Sequence, residues 1–349
     1  MIRGISSFDL SPRLRRNRLT WSGSGAILKG VYEELKAKEE EFAMFIRNWT
    51  SVVVGVVLVC LSSLAFGGSW ELIYKSDPNS DIDLYAIQFV SPKEGWAVGG
   101  KFTEDKGIVL HTTDGGKTWQ IQENPAGHTL WDLCFLNNSL GWAVGADGTI
   151  IMTKDGGKTW KAQISKVQNW LYGVTFLTPK LGYAVGMGET ILRTRDGRTW
   201  KILKGGKPPS GVGEGEVMLS DVCFVNEKKG WTVGQNGEIL HTEDGGRTWK
   251  PQTSGLEQMA QEYNLVLWGV HFINELKGWA VGDYGIIIHT EDGGKTWTRQ
   301  KSPTEESLKD VYFLPNGKEG WAVGTMGTIL HTTDGGKTWV KEDWTSPTR

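Results

Sequence analysis

The sequence predicts an all-β protein, a single β-propeller of four-stranded antiparallel blades, and three observations predict it. The first is repetition. The stretch GWAVGTMGTILHTTDGGKTW, Gly320 to Trp339, recurs in close copies ending at Trp119, Trp160, Trp200, Trp249 and Trp297, six in all. The second is spacing: successive closing tryptophans lie 40 to 49 residues apart, the length that four short strands and their turns require. The third is composition, since 47 glycines, 18 tryptophans and 11% aromatics in 349 residues suit aromatic strands joined by glycine turns.

Within one copy, GWAVG and TILHTT are short apolar and β-branched runs separated by a glycine turn, which reads as a hairpin. DGGKTW is a second turn, in which the aspartate accepts backbone N–H bonds and the glycines supply positive φ. The tryptophan then opens a further strand. Upstream of each GW, apolar pairs two residues apart, Ile87/Phe89, Leu133/Phe135, Val222/Phe224 and Val311/Phe313, mark a strand buried on at least one face. Each repeat is therefore a unit of strands A to D. Trp70, in SWELIYKS, stands like an extra D strand ahead of the first repeat. Six blades with that strand sealing the seam are expected, and seven with one incomplete blade are the alternative, because closure removes exposed edges.

Thr112, Asp114, Gly116, Thr118 and Trp119 look like the Asp-box, or BNR, repeat of β-propellers, whose aspartates and tryptophans here are Asp114, Asp155, Asp196, Asp244, Asp292 and Asp334 with Trp119, Trp160, Trp200, Trp249, Trp297 and Trp339. The tandem run over roughly residues 70 to 340 resembles the photosystem II stability/assembly factor family. That resemblance implies a non-enzymatic propeller that holds a membrane-protein partner during assembly. Two departures stand out. The third copy has lost a glycine from its Asp box, and the arginine-rich partner face that the resemblance implies is not matched by the six arginines after residue 67.

Residues 1–43 form a charged tail opening with Arg13, Arg15, Arg16 and Arg18, read as solvated or, as an alternative, as lying outside the true gene start. Residues 44–67 follow as a signal peptide, if translation begins at Met44, or as a signal-anchor helix; Val52 to Gly67 contains no charge. In both cases Arg47 stays inside and the propeller, residues 68–349, is expected to be exported to a periplasmic, extracellular or, in a photosynthetic host, lumenal space. Cys60 follows Val59 where a lipoprotein signal needs a small residue. Cys134 and Cys223 occupy one strand-A position in non-neighbouring blades, which argues against a disulfide between them.

The formal charge of −2 and pI near 6.3 exclude the concentrated basic face of a nucleic-acid binder. His111, His241, His289 and His331 recur on strand C, one per blade, too far apart to share a zinc ion, and read as bonding the neighbouring turn. Asp132, Asp221 and Asp310 recur on the innermost strand. They suit either backbone amides or a cation in the central channel. Sialidases also carry Asp boxes, but their site needs an arginine cluster, and only Arg299 lies near the appropriate side. No catalytic residues and no cofactor are assigned, with a glycan-binding or sialidase-like hydrolase as the alternative reading.

The extra residues fall in Gly100 to Lys106, Leu203 to Val217 and Pro251 to Leu265, connections that emerge on the face opposite the Asp boxes. Lys101, Lys204, Lys207, Glu214, Glu216, Glu257, Gln258, Met259, Glu262 and Tyr263 are accordingly the candidate contacts to a protein partner, expected to be a membrane-complex subunit bound by a monomeric propeller.

Overall fold

The computed structural model describes residues 56–61, 69–75, 82–101, 104–207 and 217–345. Among them, six four-stranded antiparallel sheets follow one another along the chain, one per repeat, giving a six-bladed propeller. Blade 1 comprises Asp83–Phe89, Gly95–Lys101, Lys106–Thr112 and Gln120–Gln122. Blade 2 comprises Leu130–Phe135, Gly141–Gly145, Ile150–Thr153 and Trp160–Gln163, and blade 3 Leu171–Phe176, Gly182–Gly186, Thr190–Thr194 and Trp200–Lys204. Blade 4 is Leu219–Phe224, Gly230–Gly234, Ile239–Thr242 and Lys250–Gln252. Blade 5 is Leu267–Phe272, Gly278–Gly282, Ile287–Thr290 and Thr298–Gln300, and blade 6 Leu308–Phe313, Gly320–Gly324, Thr328–Thr332 and Val340–Lys341.

Every strand B reads GWxVG or GYxVG because both glycines face something a side chain would strike. A Cβ on Gly141 would lie 2.5 Å from the Phe135 ring, and one on Gly145 would lie 2.0 Å from the Thr129 carbonyl oxygen. The aromatic residue between them joins neighbouring blades. Trp96 stacks on Phe135, Trp142 on Phe176, Tyr183 on Phe224, Trp231 on Phe272 and Trp279 on Phe313, with ring centroids 3.5 to 3.8 Å apart. The same phenylalanines meet their own blade's Asp-box tryptophan edge-on, as Phe176 meets Trp200 at 5.8 Å and 89°.

Trp70 does not act as a D strand of any blade. Blade 6 supplies its own fourth strand, Val340–Lys341, and Ser69–Lys75 instead lies in a separate three-stranded sheet, antiparallel to Val56–Leu61 and parallel to Trp344–Thr345. Segments flanking the six blades on either side thus meet by backbone pairing, Trp70 opposite Trp344 and Glu71 opposite Thr345. Val56–Leu61, VVLVCL, belongs to the apolar run expected as a leader and is a strand here, in keeping with its β-branched residues. The remainder of that run, the basic tail and Cys60's surroundings lie outside the described side chains.

Two sets of backbone bonds define the two faces of the ring. In blades 2 to 6 the turn between strands B and C bonds the preceding D-to-A connection, as Ala146 N–H donates to Thr129 and Asp283 N–H to Val266. Each Asp-box turn bonds its blade's A-to-B turn, as Gly115 N–H donates to Lys93 and Gly335 N–H to Lys318. The insertion Pro251 to Leu265 contains one short helix, α1 (Glu257–Tyr263), seated by Leu256, Ala260 and Leu265 in the core between blades 4 and 5.

Because Trp142 is fully buried between Phe176 and its own blade, Trp142→Ala is expected to lower stability by about 3 to 5 kcal/mol. Urea unfolding measures this, and a loss below about 1 kcal/mol would remove the blade-to-blade stack as a main source of stability.

Candidate functional site

The Asp boxes build one face of the ring. In blade 1, Asp114 Oδ1 accepts from Thr112 Oγ1 and the Thr118 N–H, both at 2.9 Å, and Oδ2 accepts from Thr118 Oγ1 at 2.7 Å. Asp155, Asp244, Asp292 and Asp334 repeat this arrangement. These bonds hold the carboxyls of Asp114, Asp292 and Asp334 down at about 2, led in each case by the threonine hydroxyl. In the shortened box of blade 3, Asp196 reaches Thr199 N–H at 2.7 Å, three residues on instead of four, so the turn closes one residue earlier. The oxygens are fully engaged within the turn, which assigns this face to architecture.

A further device passed unnoticed at the sequence level, although its signal is a glutamine three residues after the Asp-box tryptophan. Gln122 Nε2 donates to the Gly156 carbonyl at 3.2 Å, and its Oε1 accepts from Trp160 Nε1 at 3.1 Å, so one side chain clasps the Asp box of the next blade. Gln163, Gln252 and Gln300 do the same toward blades 3, 5 and 6. Blade 3 carries Leu203 at this place, and Arg193 Nη1 reaches the Gly245 carbonyl instead, at 2.6 Å. Gln122→Leu strands the Trp160 indole N–H and leaves the Gly156 carbonyl with only the Trp96 indole as donor, with an expected cost of about 1 to 3 kcal/mol read as a lower urea midpoint with an unchanged slope; an unchanged midpoint would contradict the clasp.

The strand-C histidines stack on their own blade's strand-B tryptophan, His111 on Trp96, His241 on Trp231, His289 on Trp279 and His331 on Trp321, at 4.6 to 4.7 Å. His111 and His331 also reach Glu94 and Glu319 of the A-to-B turn, at 3.4 and 3.3 Å. Among the described residues no group of three or more histidine, cysteine or acidic side chains is placed to hold a metal ion. Cys134 and Cys223 are free thiols, and burial pushes the Cys223 thiol up to about 12.

The channel aspartates bridge blades. Asp132 accepts from Leu133 N–H and, across the interface, from Val174 N–H, both at 2.7 Å. Asp221 accepts from Val222 N–H at 2.6 Å and Val270 N–H at 2.8 Å, and Asp310 from Val311 N–H at 2.8 Å. Gly173 and Gly269, at the matching positions of blades 3 and 5, make room: a Cβ on Gly269 would lie 2.9 Å from Asp310 Cα. Backbone amides thus engage both oxygens of Asp132 and of Asp221. A cavity of about 360 Å³ lies beside them, lined among others by Cys134, Asp221, Cys223, His271 and Asp310.

Burial raises Asp132 well above the usual range, helped by the charge of Asp221, and raises Asp221 to about 6 against the amide bonds that oppose it. A raised carboxyl contributes stability that is complete below pH 3.8 and is lost as pH climbs through about 6. Asp221→Asn is thus expected to gain on the native chain by about 1 to 3 kcal/mol between pH 4 and 7, measured by urea unfolding at both values. A stability difference that stays flat with pH would contradict the buried charge.

On the loop face, the candidate residues fall into separate sectors. Lys101 closes strand B of blade 1 and pairs with Glu104 at 2.7 Å. Lys204 ends strand D of blade 3 and pairs with Glu189 at 2.9 Å, with Lys207 exposed just beyond it. Glu214 and Glu216 lie outside the described residues. Glu257, Gln258, Glu262 and Tyr263 come together on the exposed side of α1, although Glu257 is turned back to accept from the Gly255 N–H at 3.2 Å. Beside α1 a cavity of about 730 Å³ is lined by Met259, Tyr263, Tyr284, Arg299, Lys301 and Glu305. Tyr284 and Met326 are 45% and 83% exposed in B-to-C turns at φ 59 and 56, left-handed positions that bulky side chains seldom take. Asp147 and Asn236 occupy corresponding turns in blades 2 and 4.

The family described as "Photosynthesis system II assembly factor YCF48" matches residues 119–169 and 213–302. Among solved structures, one described as "YCF48 bound to D1 peptide" is 21% identical at a TM-score of 0.61, covering 82% of this chain and 87% of that one. YCF48 from Cyanidioschyzon merolae is 20% identical at 0.58, covering 81% and 90%. A GH74 enzyme of Niastella koreensis is 13% identical at 0.53, covering 86% of this chain and 55% of that one. No curated protein matches at the sequence level. The resemblance to photosystem II assembly factors seen in the repeats is therefore borne out, and the chain is a BNR-type propeller similar to YCF48.

Proposed function

We propose that this chain is an exported, non-catalytic propeller that binds a protein partner, a subunit of a membrane complex, through the face bearing its B-to-C turns and D-to-A connections. The observation that carries the reading is the division of labour between the faces. The Asp-box carboxylates spend their oxygens on their own turns, whereas the opposite face carries the packed helix α1, the groove beside it and two bulky residues in left-handed turns. Residues held in costly conformations with their side chains in solvent, where Gly, Asn or Asp would serve the turn, point to recognition. That a YCF48 propeller of similar fold is described as bound to D1 peptide supports a peptide or protein as the ligand class.

The absence of catalysis is proposed from the arginines. Arg193 is engaged with the Gly245 carbonyl, Arg198 lies in an Asp-box turn, and Arg299 lines the α1 groove without another arginine beside it. A sialidase-type grip on a carboxylate cannot be assembled from that distribution. Export is proposed from the uncharged run Val52 to Gly67 and the basic residues before it.

Cross-linking mass spectrometry of the tagged protein in its host's membrane fraction is expected to join Lys101, Lys204 or Lys207 to one membrane protein. Cross-links confined to Asp-box lysines such as Lys117 and Lys337, or recovery of the protein alone, would contradict the loop-face reading.

A further inference from the structure

Strand A of every blade carries a β-bulge at the same place, and the residue left without a ladder partner is Tyr85, Trp131, Tyr172, Ser220, Trp268 and Lys309 in blades 1 to 6. A bulge turns its side chain out of the sheet, here at the loop-face end of the innermost strand, where the central channel opens. Four of the six are aromatic. Trp131, Trp170 and Trp268 are also the tryptophans of the blades and their connections that do not belong to the repeat, and unlike the strand-B tryptophans, which are buried, they are partly exposed.

The rings do not lie flat as a platform. Trp131 meets Tyr85 at 4.3 Å and 44°, Tyr172 at 5.6 Å and 49°, and Trp170 at 5.9 Å and 27°, so blades 1 to 3 present a tilted aromatic cluster. On blade 6, Lys309 Nζ sits 3.5 Å above the Trp268 ring and 4.0 Å from Asp283 Oδ1. Asp283 is already committed, accepting from Trp268 Nε1 at 2.7 Å, Ser307 Oγ at 2.8 Å and Val266 N–H at 3.0 Å. The ammonium is therefore largely desolvated and only loosely compensated, and burial brings Lys309 down to about 8. An incoming carboxylate would complete it.

We infer that the channel mouth is the anchoring subsite for an extended, carboxylate-bearing peptide segment, whose apolar or aromatic side chain packs on the cluster formed by Tyr85, Trp131, Trp170 and Tyr172 while its carboxylate meets Lys309. This rests on the reading of the propeller as a protein-binding scaffold and gives it a location and a chemistry. The ligand must be elongated because cluster and ammonium belong to different blades. A tilted aromatic cluster together with a cation suits an acidic peptide better than a sugar, which stacks on an open ring face.

The test pans random 12-residue peptides displayed on phage against the folded propeller and titrates synthetic versions of the enriched sequences. Enriched peptides are expected to pair an aromatic, apolar or proline residue with a carboxylate, and to bind at least tenfold more weakly to Lys309→Met and to Trp131→Ala, with Tyr263→Ala unaffected. Lys309→Met keeps the packing over Trp268, so its circular dichroism and melting temperature stay native and separate lost binding from lost folding. Synthetic peptides with an amidated C-terminus, or with Asp and Glu replaced by Asn and Gln, identify whether the carboxylate is terminal or a side chain. Peptides that bind both mouth variants normally but fail on Tyr263→Ala would overturn the channel-mouth site and leave the protein-binding reading standing. Failure to enrich any peptide, with Trp131-dependent binding on a glycan array, would overturn both.

Discussion

The stack of a strand-B aromatic on the strand-A phenylalanine of the next blade is the contact on which this ring depends. It fixes the distance between blades, it dictates the first glycine of GWxVG, whose missing Cβ leaves room for the phenylalanine, and it orients the Asp-box tryptophan edge-on behind the same ring. Around that aromatic sandwich the polar groups act as staples. Gln122 and its counterparts clasp the outer rim, the indoles of Trp96, Trp142 and Trp231 donate to Asp-box carbonyls, and Asp132 and Asp221 tie the inner strands across blade boundaries. Each staple links a blade to its successor, so the six blades behave as a chain of nearest-neighbour interfaces.

The same logic separates structure from recognition. The Asp-box face is saturated: its aspartates are held as anions by threonine hydroxyls and backbone amides, which leaves them little to offer a partner. The opposite face is irregular from blade to blade. It bears a helix in one connection, bulky residues at φ near 60 in two turns, and a bulged ring of unlike side chains around the channel. Variation superimposed on an otherwise regular repeat is where a scaffold of this kind acquires a specific ligand.

Much of the fold was legible because a repeat reports on itself six times. The register of strands A to D, the Asp-box turns and the inward phenylalanines all follow from period-two alternation and glycine placement. Trp70 misled because its SWELIYKS context imitates a D strand, while the strand's true partners, Val56–Leu61 and Trp344–Thr345, lie outside the repeat, and long-range pairing leaves no local trace. The glutamine clasp was present as W-x-x-Q but has meaning only once the next blade is in place. For the candidate site, the loop insertions pointed to the face proposed for binding, and Tyr263 sits on an exposed helix there. The aromatic channel mouth was hidden because bulged residues break the alternation that marks strand A as buried.

Hydrogen exchange of the propeller, free and in complex with the partner recovered from its host membrane, distinguishes the two faces. Slower exchange is expected in the B-to-C turns and D-to-A connections, including α1 and the starts of the A strands, with Asp-box turns unchanged. Protection concentrated in the Asp-box turns, with the loop face unaltered, would contradict the loop-face reading.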